Sequence, residues 1–182
     1  MFPNEYVQSL QKAWSMVNVD ELASCVKEVH ETLLRGELVL IAGNGGSAST
    51  ASHFVNDWSK GLSSEVELPI RAISLSDNVS LITAVGNDAS YDEIFSFQLE
   101  NYLGLATLLI CISGSGNSRN ILSAALKAKQ LGMKVIGLVG FDGGNLLPMC
   151  SQSFHCKVDD MQIVEDMHLS FGHMVLRTLN NH

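Results

Sequence analysis

Residues 39–61 join an apolar run, a glycine-rich turn and a segment of helical character, and this combination constrains the fold more than any other stretch. The apolar run ends in a glycine loop, Gly43-Asn44-Gly45-Gly46-Ser47, and His53 and Asp57 follow at a spacing of one helical turn. Strand, glycine loop and helix in this order suit an anion, because glycines let the backbone approach a ligand and a helix start presents unpaired N–H groups. The loop lacks the Gly-Lys-Ser/Thr ending of a P-loop and the dinucleotide fingerprint. It therefore predicts a phosphate site without being a nucleotide signature.

The same arrangement recurs after a second apolar run, 107–112, which a serine loop (residues 113–118) and a helix follow. The hydroxyl groups of Ser113, Ser115 and Ser118 can donate hydrogen bonds to a phosphate without adding charge. For one such loop taken alone, the alternative is an ordinary strand-to-helix turn with Ser118 as the helix N-cap. Two such loops favour a small sugar phosphate as the ligand.

The alternation of strands and helices predicts the architecture. Strands are expected at 38–42, 70–75, 107–112, 134–139 and 153–158. This pattern is typical of the α/β class, a three-layer sandwich around a five-stranded parallel sheet with strand order near 2-1-3-4-5. In that order the chain reverses direction between the first and third strands, where open α/β sheets bind ligands. Because the glycine loop and the serine loop follow those two strands, we expect them to converge on one anion pocket.

Several further segments have expected boundaries. Helices are expected within 4–35, with a break at 18–20 and Asp20 as the N-cap of the second helix. A loop is expected at 63–68, and a short helix is expected to begin at 76–78, run through Val85 and end at 86–88. A further helical stretch is expected at 91–102, and a last helix near 160–180 with Asp159 or Asp160 as its N-cap. The chain is expected to form a single domain, 1–182, with an N-terminal helical segment, 1–35, before an α/β core, 36–182.

Charge and cysteine content limit the function classes. A net charge of −8 disfavours nucleic acid and anionic membranes as partners. The four cysteines lack C-x-x-C spacing and favour reduced structural thiols over metal ligands or bridges. The first residues lack the basic and apolar regions of a signal peptide, and no uncharged apolar run approaches about 20 residues. We therefore expect a cytoplasmic protein.

Two pairs of titratable residues are candidates for chemistry. His53 and Asp57 lie one turn apart on a helix, and Glu165 and His173 lie eight residues apart on the last helix, about 80° from each other around its axis. His, Asp, Glu and His are acceptable zinc ligands and are also the groups that move protons near neutral pH. Either pair taken alone is also typical of a solvated surface pair. His168, on the same mostly apolar helix, is either a further ligand or a hydrogen-bonded core histidine.

Four motifs together resemble the sugar isomerase (SIS) domain, and specifically the phosphoheptose (sedoheptulose 7-phosphate) isomerases. The motifs are the glycine loop with His53, Val85-Gly86-Asn87-Asp88, Ile112 with the serine loop, and Glu165-Asp166-Met167-His168. The likeness covers roughly residues 20–180. It implies a five-stranded parallel sandwich, a homotetramer with sites between subunits, and interconversion of sedoheptulose 7-phosphate and an aldoheptose 7-phosphate for the heptose of surface polysaccharides such as lipopolysaccharide or capsule.

The resemblance also implies roles for particular residues. It implies phosphate contacts from Ser47, Ser113, Ser115 and Ser118, sugar contacts from Asn44 and Asp88, and metal or acid/base positions at His53, Asp57, Glu165 and His173. Among the last group we expect Asp57 and His173 to be the catalytic proton-transfer pair, and His53 and Glu165 to complete a site for one zinc ion. Which of the pair is the base stays open.

Three positions depart from the family pattern. Asp57 stands where Glu is usual, Glu165 where Gln is usual, and Gly114 where Thr is common. The first two substitutions keep oxygen atoms that can bind a metal, so zinc remains the expected cofactor, while another sugar phosphate becomes a possible substrate. The alternative class is non-enzymatic: a relative in this family binds the bacterial replication initiator as an adaptor, and sugar-phosphate sensors also use the fold. An adaptor has no need for four convergent titratable groups.

Overall fold

A five-stranded parallel sheet forms the centre of the computed structural model, which describes residues 2–61 and 69–180. Its strands are β1 (Leu38–Gly43), β2 (Arg71–Ser74), β3 (Ala106–Ser113), β4 (Lys134–Gly140) and β5 (Gln152–Cys156). They lie in the order β2-β1-β3-β4-β5, and all four neighbouring pairs are parallel. The expected strand order and the expected α/β class are therefore confirmed.

Helices cover both faces of this sheet. They are α1 (Pro3–Ser15), α2 (Val19–Leu34), α3 (Gly46–Gly61), α4 (Val79–Asp88), α5 (Ser96–Leu99), α6 (Arg119–Gln130) and α7 (Met161–Leu179). One apolar core joins α2, α3 and α7 to one face, and α1 packs on the outside of this layer. A second core joins α4, α5 and α6 to the other face. β1, β3 and β4 contribute alternate residues to the two cores, which explains why these strands are apolar runs rather than alternating patterns.

Helices α3 and α7 pack unusually closely, and this contact positions part of the site. A Cβ atom at Gly172 would lie 2.1 Å from a ring carbon of Phe54, so only glycine allows the two helices this separation. The Trp58 indole N–H donates to the Gly172 carbonyl oxygen at 3.0 Å. Phe54, Trp58 and Phe171 form a buried aromatic group around this contact.

Several expected boundaries were wrong, and each has a local cause. Asn18, not Asp20, caps α2, because its side chain accepts from the N–H groups of Asp20 at 3.1 Å and Glu21 at 3.3 Å. Helix α4 continues through Asp88 instead of ending at Val85, since one glycine costs a helix only about 1 kcal/mol and did not break it here.

The stretch expected to be helical at 91–102 instead contains the four-residue α5 with one 3-10 turn before it and one after it. Strand β5 spans Gln152–Cys156 rather than 153–158. Asp160 is the N-cap of α7, accepting from the N–H groups of Gln162 and Ile163. The loop expected at 63–68 lies outside the described residues.

The cysteines are all free thiols, as the sequence indicated. Cys25, Cys111 and Cys156 are buried and Cys150 is partly buried. Burial raises the pKa of Cys25, Cys150 and Cys156 to about 12, so these thiols are protonated at neutral pH and are poor metal ligands. Over the two described ranges, no helix is both long enough and apolar enough to cross a membrane.

Candidate active site

The glycine loop and the serine loop meet at the carboxyl ends of β1 and β3, which are neighbours in the sheet. Between them lies a cavity of about 300 Å³. Its lining residues are Asn44, Gly45, Gly46, Ser47, Ile112, Ser113, Gly114, Ser115, Ser118, Met161 and Glu165. The four serines expected to bind phosphate and the asparagine expected to bind sugar thus line one cavity, at the place where the chain reverses direction.

The starts of two helices lie at this cavity, with backbone N–H groups that no helical hydrogen bond uses. In α3 the first helical hydrogen bonds run from Ala48 and Ser49, so the N–H groups of Gly46 and Ser47 precede the ladder. In α6 the ladder begins with Ile121 bonding to the Ser118 carbonyl oxygen at 3.0 Å. Both helix starts carry positive dipole ends, a combination that suits an anion.

The serine hydroxyl groups face the cavity rather than capping helices. Ser118 occupies the N-cap position of α6, but within the described residues its side chain makes no capping hydrogen bond. Its hydroxyl oxygen lies 3.4 Å from that of Ser113 instead. The Ser115 hydroxyl accepts from the Asn117 N–H at 3.2 Å, which leaves its own proton free to donate. Ser118 is therefore the N-cap residue of α6, as the alternative predicted, but its hydroxyl group does not make the capping bond and can still bind a ligand.

Two side chains that the sequence did not single out hold Asn44. Asn120 and Asn44 exchange two hydrogen bonds, each 2.8 Å long, from the amide nitrogen of one residue to the amide oxygen of the other. The exposed Tyr91 hydroxyl adds a third bond, donating to the Asn44 amide oxygen at 3.2 Å. Asn120 carries no sequence signal, because an asparagine in the first turn of a helix is ordinary and its partner is 76 residues away.

Glu165 and Asp88 lie in different surroundings. A Glu165 carboxylate oxygen lies only 2.6 Å from where a Cβ atom at Gly46 would be, so this carboxylate sits against the start of α3 and lines the cavity. A carboxylate here repels a phosphate dianion unless a proton or cation lies between them. Asp88 is exposed at the end of α4, accepts from the Asn87 amide at 2.8 Å, and is not among the described residues that line the cavity.

His53, Asp57 and His173 converge at the seam between α3 and α7. The Nε2 atom of His53 lies 3.1 Å from Oδ2 of Asp57 and 3.2 Å from Nε2 of His173. The His173 Nε2 atom lies 3.8 Å from the same Asp57 oxygen. The alternative, in which His53 and Asp57 are only a pair of solvated surface residues, does not describe the full arrangement. A third titratable group, from a distant segment of the chain, joins them.

This three-residue cluster fits a zinc ion by its chemistry and spacing. Two imidazole nitrogens and a carboxylate oxygen are a common zinc donor set, and a tetrahedral ion with bonds of about 2.1 Å has ligand atoms about 3.4 Å apart. All the ligand atoms lie within 4.8 Å of one another. The carboxylate of Glu165, the fourth expected ligand, does not join the cluster within the described chain.

Two other polar groups of α7, His168 and Asp166, contact residues outside the cluster. His168 is 1% exposed, and its ring packs edge-on against Phe154 with a centroid separation of 6.2 Å. Burial lowers its pKa to about 4, and the backbone of Val139 raises it by a smaller amount. Asp166 accepts a hydrogen bond from the Tyr6 hydroxyl at 2.6 Å, which raises the Tyr6 pKa to about 12. His168 is a buried core residue, as one alternative predicted, but within the described residues neither ring nitrogen makes a hydrogen bond of normal geometry.

A larger cavity, about 590 Å³, lies beside the first and shares Ser115 with it. Its other lining residues are Asn117, Phe141, Asp142, Lys157, Val158 and Asp159. Its lining has one positively charged side chain, Lys157, and two carboxylates, Asp142 and Asp159. Only one serine of the serine loop reaches it, so we do not expect it to bind phosphate better than the smaller cavity, despite its larger volume.

Sequence comparison gives a family for this arrangement. A family model described as "SIS domain" matches residues 4–140. Curated proteins named phosphoheptose isomerase are similar to the chain: one from Aliarcobacter butzleri is 36% identical over 162 residues, covering 89% of this chain and 85% of its own. Another, from Helicobacter pylori, is 40% identical over 159 residues, covering 84% of this chain and 79% of its own.

Solved structures give the same result. A phosphoheptose isomerase from Francisella tularensis superposes with a TM-score of 0.86 at 30% identity, covering 98% of this chain and 96% of its own. A phosphoheptose isomerase from Neisseria gonorrhoeae superposes with a TM-score of 0.86 at 27% identity, covering 98% and 95%. Likeness therefore extends over nearly the whole chain in both sequence and fold.

Proposed function

The chain belongs to the SIS domain family and to the phosphoheptose isomerases within it, and on this premise we propose that it interconverts sedoheptulose 7-phosphate and D-glycero-D-manno-heptose 7-phosphate. The observation that carries the proposal is the pairing of a hydroxyl-lined anion cavity with a cluster of titratable groups in one fold. The cavity accounts for recognition of a phosphate, and the cluster accounts for proton transfer. Neither a binding module nor a scaffold needs both.

The reaction moves a carbonyl group from C2 to C1 of the sugar. A base takes a proton from C1, the electron pair forms the C1–C2 double bond of an enediol, and protons move between the two oxygens before C2 is protonated. We assign this proton transfer to Asp57 and His173. Ser47, Ser113, Ser115 and Ser118 would bind the phosphate, while Asn44 and Asp88 would contact the sugar.

We further propose that His53, Asp57 and His173 hold one zinc ion, with Glu165 as the fourth ligand. Zinc, when bound, supplies Lewis-acid polarisation of the sugar oxygens. The donor types and the spacing of 3.1 to 3.8 Å among the three nearest ligand atoms support this assignment. The shorter side chain of Asp57 still brings an oxygen within reach of His53.

The distance of Glu165 from the cluster supports a site shared between subunits. Glu165 and His173 are eight residues apart on α7, which is about 12 Å along the helix axis. In the described chain the Glu165 carboxylate does not join the cluster, and a second copy would supply the missing carboxylate. We propose a homotetramer with sites between subunits, each chain being a single SIS domain over 1–182.

We also propose that the protein works in the cytoplasm, in the synthesis of the heptose of surface polysaccharides. The four free thiols support a reducing compartment. Its partners would be the sugar-phosphate substrate and further copies of the same chain. Nucleic acid and membranes would not be partners.

The direct test is NMR spectroscopy of sedoheptulose 7-phosphate incubated with the purified protein, watching for the anomeric signals of the aldoheptose 7-phosphate. We expect these signals with the wild type and at least a 100-fold slower appearance with His173→Asn. A protein that binds the sugar phosphate but never converts it, with or without zinc, would support a sensor or an adaptor instead.

A further inference from the structure

Asn120 is buried beneath the candidate phosphate site, where it joins the two loops that form the cavity. It is 2% exposed and lies in the first turn of α6, directly after the serine loop. Its partner, Asn44, lies in the glycine loop after β1. The two amide groups face each other and exchange two hydrogen bonds of 2.8 Å each.

This amide pair spans the sheet at the point where the chain reverses direction. The strands β1 and β3 are paired below it, and the amide pair adds a link between the starts of α3 and α6. Residues of both helix starts line the cavity. The Asn44 amide oxygen accepts from Asn120 and from Tyr91, so both of its acceptor positions are used. The orientation of Asn44 is therefore set by the protein before any ligand binds.

We propose that Asn120 is a positioning residue for phosphate binding, which acts through Asn44 to fix the spacing and orientation of the glycine loop relative to the serine loop. This inference rests on the proposed function, since it takes the cavity between the loops to be the phosphate site. Asn120 itself does not line that cavity, so its effect reaches the ligand only through the loops.

The physical reason is preorganisation. A phosphate must be bound by N–H and hydroxyl groups from both loops at once, and loops that are held in the bound geometry lose less conformational freedom on binding. Phosphate is remote from C1 and C2, so its contacts act equally on the bound substrate and on the transition state. Loss of Asn120 should therefore raise KM and leave kcat nearly unchanged.

The test compares Asn120→Ala with a matched control, Gln98→Ala. Gln98 is also a buried amide, 3% exposed, and its nitrogen donates to the carbonyl oxygens of Leu75 at 2.9 Å and Ile94 at 2.8 Å, away from both loops. Both variants should lower Tm. Only Asn120→Ala should weaken binding of inorganic phosphate, measured by phosphorus NMR titration, and raise KM for the sugar phosphate, each by about tenfold, with kcat within about threefold.

A double-mutant cycle with Asn44→Ala tests whether Asn120 acts through Asn44. The double variant leaves neither amide unpaired, so its phosphate Kd should match that of Asn44→Ala alone. This comparison remains available if Asn120→Ala alone fails to fold. A double variant that binds phosphate clearly more weakly than Asn44→Ala would overturn the proposal, as would an Asn120→Ala protein with wild-type phosphate affinity and only a lower Tm.

The phosphate titration keeps this inference separate from the proposed function. If the wild type binds phosphate but does not turn over sedoheptulose 7-phosphate, the proposed reaction fails and the comparison of Asn120→Ala with Gln98→Ala still decides the positioning role. A wild type that binds no inorganic phosphate at millimolar concentration overturns the positioning role itself.

Discussion

At the residue scale, burial separates the two histidines of α7 into different roles. His173 is half-exposed and meets His53 and Asp57, whereas His168 is enclosed by the core and packs against Phe154. An enclosed imidazole loses the solvation that stabilises its charged form, so its pKa falls to about 4. The cluster is open to solvent and to a ligand, whereas the His168 ring is not.

The low pKa of His168 predicts a pH-dependent stability. In the unfolded chain this residue binds a proton below about pH 6.5, whereas in the folded protein it does so only near pH 4. The free energy of unfolding should therefore fall as the pH decreases from about 6.5 to about 4. The loss amounts to about 3 kcal/mol at most. Urea unfolding of wild type and His168→Phe at several pH values and one protein concentration measures it. An equally steep pH dependence in His168→Phe would show that other groups are responsible.

Asp57 makes the second prediction at this scale, because its carboxylate is the only acidic group in the three-residue cluster. Asp57→Asn should weaken zinc binding at least about 100-fold, measured by competition with a chromophoric chelator. Asp166→Asn is a suitable control, since Asp166 bonds to Tyr6 rather than to the cluster. Equal zinc affinity in Asp57→Asn and wild type would remove Asp57 from the metal site.

At the element scale, the close packing of α3 on α7 brings the cluster together. His53 precedes Phe54 and His173 follows Gly172, and it is Phe54 and Gly172 that touch. The separation of the two helices therefore controls the distance of 3.2 Å between the two histidine nitrogens. A change of a few tenths of an ångström in this packing is transmitted to the site because cores are densely packed.

This contact reverses the usual effect of replacing glycine in a helix. Gly172→Ala should destabilise the protein by about 1–3 kcal/mol, because its Cβ would lie 2.1 Å from Phe54 and push the helices apart. Gly86→Ala, in α4, is the matched control, since its nearest neighbour would be at 3.9 Å and alanine then favours the helix by up to about 1 kcal/mol. Thermal unfolding compares the two. If Gly172→Ala is as stable as Gly86→Ala, then the helices are not held at this separation.

The elements were predictable where their signal was local and periodic. The apolar runs of β1, β3 and β4 indicated the strands, and their spacing indicated the strand order that the sheet has. The region 91–102 was not predictable as one 3-10 turn on each side of α5, because its apolar positions fit a helix and the sequence does not show how this stretch packs against α6.

The candidate site was predictable for similar reasons, and only in part. The two loops were predictable because clustered glycine and serine directly after a buried strand are typical of a turn that binds an anion. The pairing of Asn44 with Asn120 and the distance of Glu165 from His53 depend on how distant segments pack, which no local pattern encodes.

At the scale of the whole molecule, we propose that the site is built from more than one chain. The carboxylate of Glu165 lines the cavity between the loops, while the three-residue cluster lies farther along α3 and α7. A carboxylate from one copy next to a cluster from another would complete four ligands and neutralise the charge that otherwise repels phosphate.

Mixing two inactive variants tests this shared site. Glu165→Ala and His173→Ala should each be inactive alone, but when they are unfolded and refolded together in equal amounts, about a quarter of the sites should regain both residues. Activity per chain measures this recovery, and sedimentation velocity should report a tetramer. No recovery from mixed tetramers would place each complete site within one chain.

The most direct test of the account as a whole is the exchange of solvent deuterium into C1 of sedoheptulose 7-phosphate, followed by proton NMR in D₂O. The wild type should exchange a C1 proton as the enediol forms and reverts, and Asp57→Asn and His173→Asn should each lower the exchange rate at least about 100-fold, whereas Asp166→Asn should not. Undiminished exchange in both cluster variants, or no exchange with the zinc-loaded wild type, would contradict the assignment of proton transfer to this cluster.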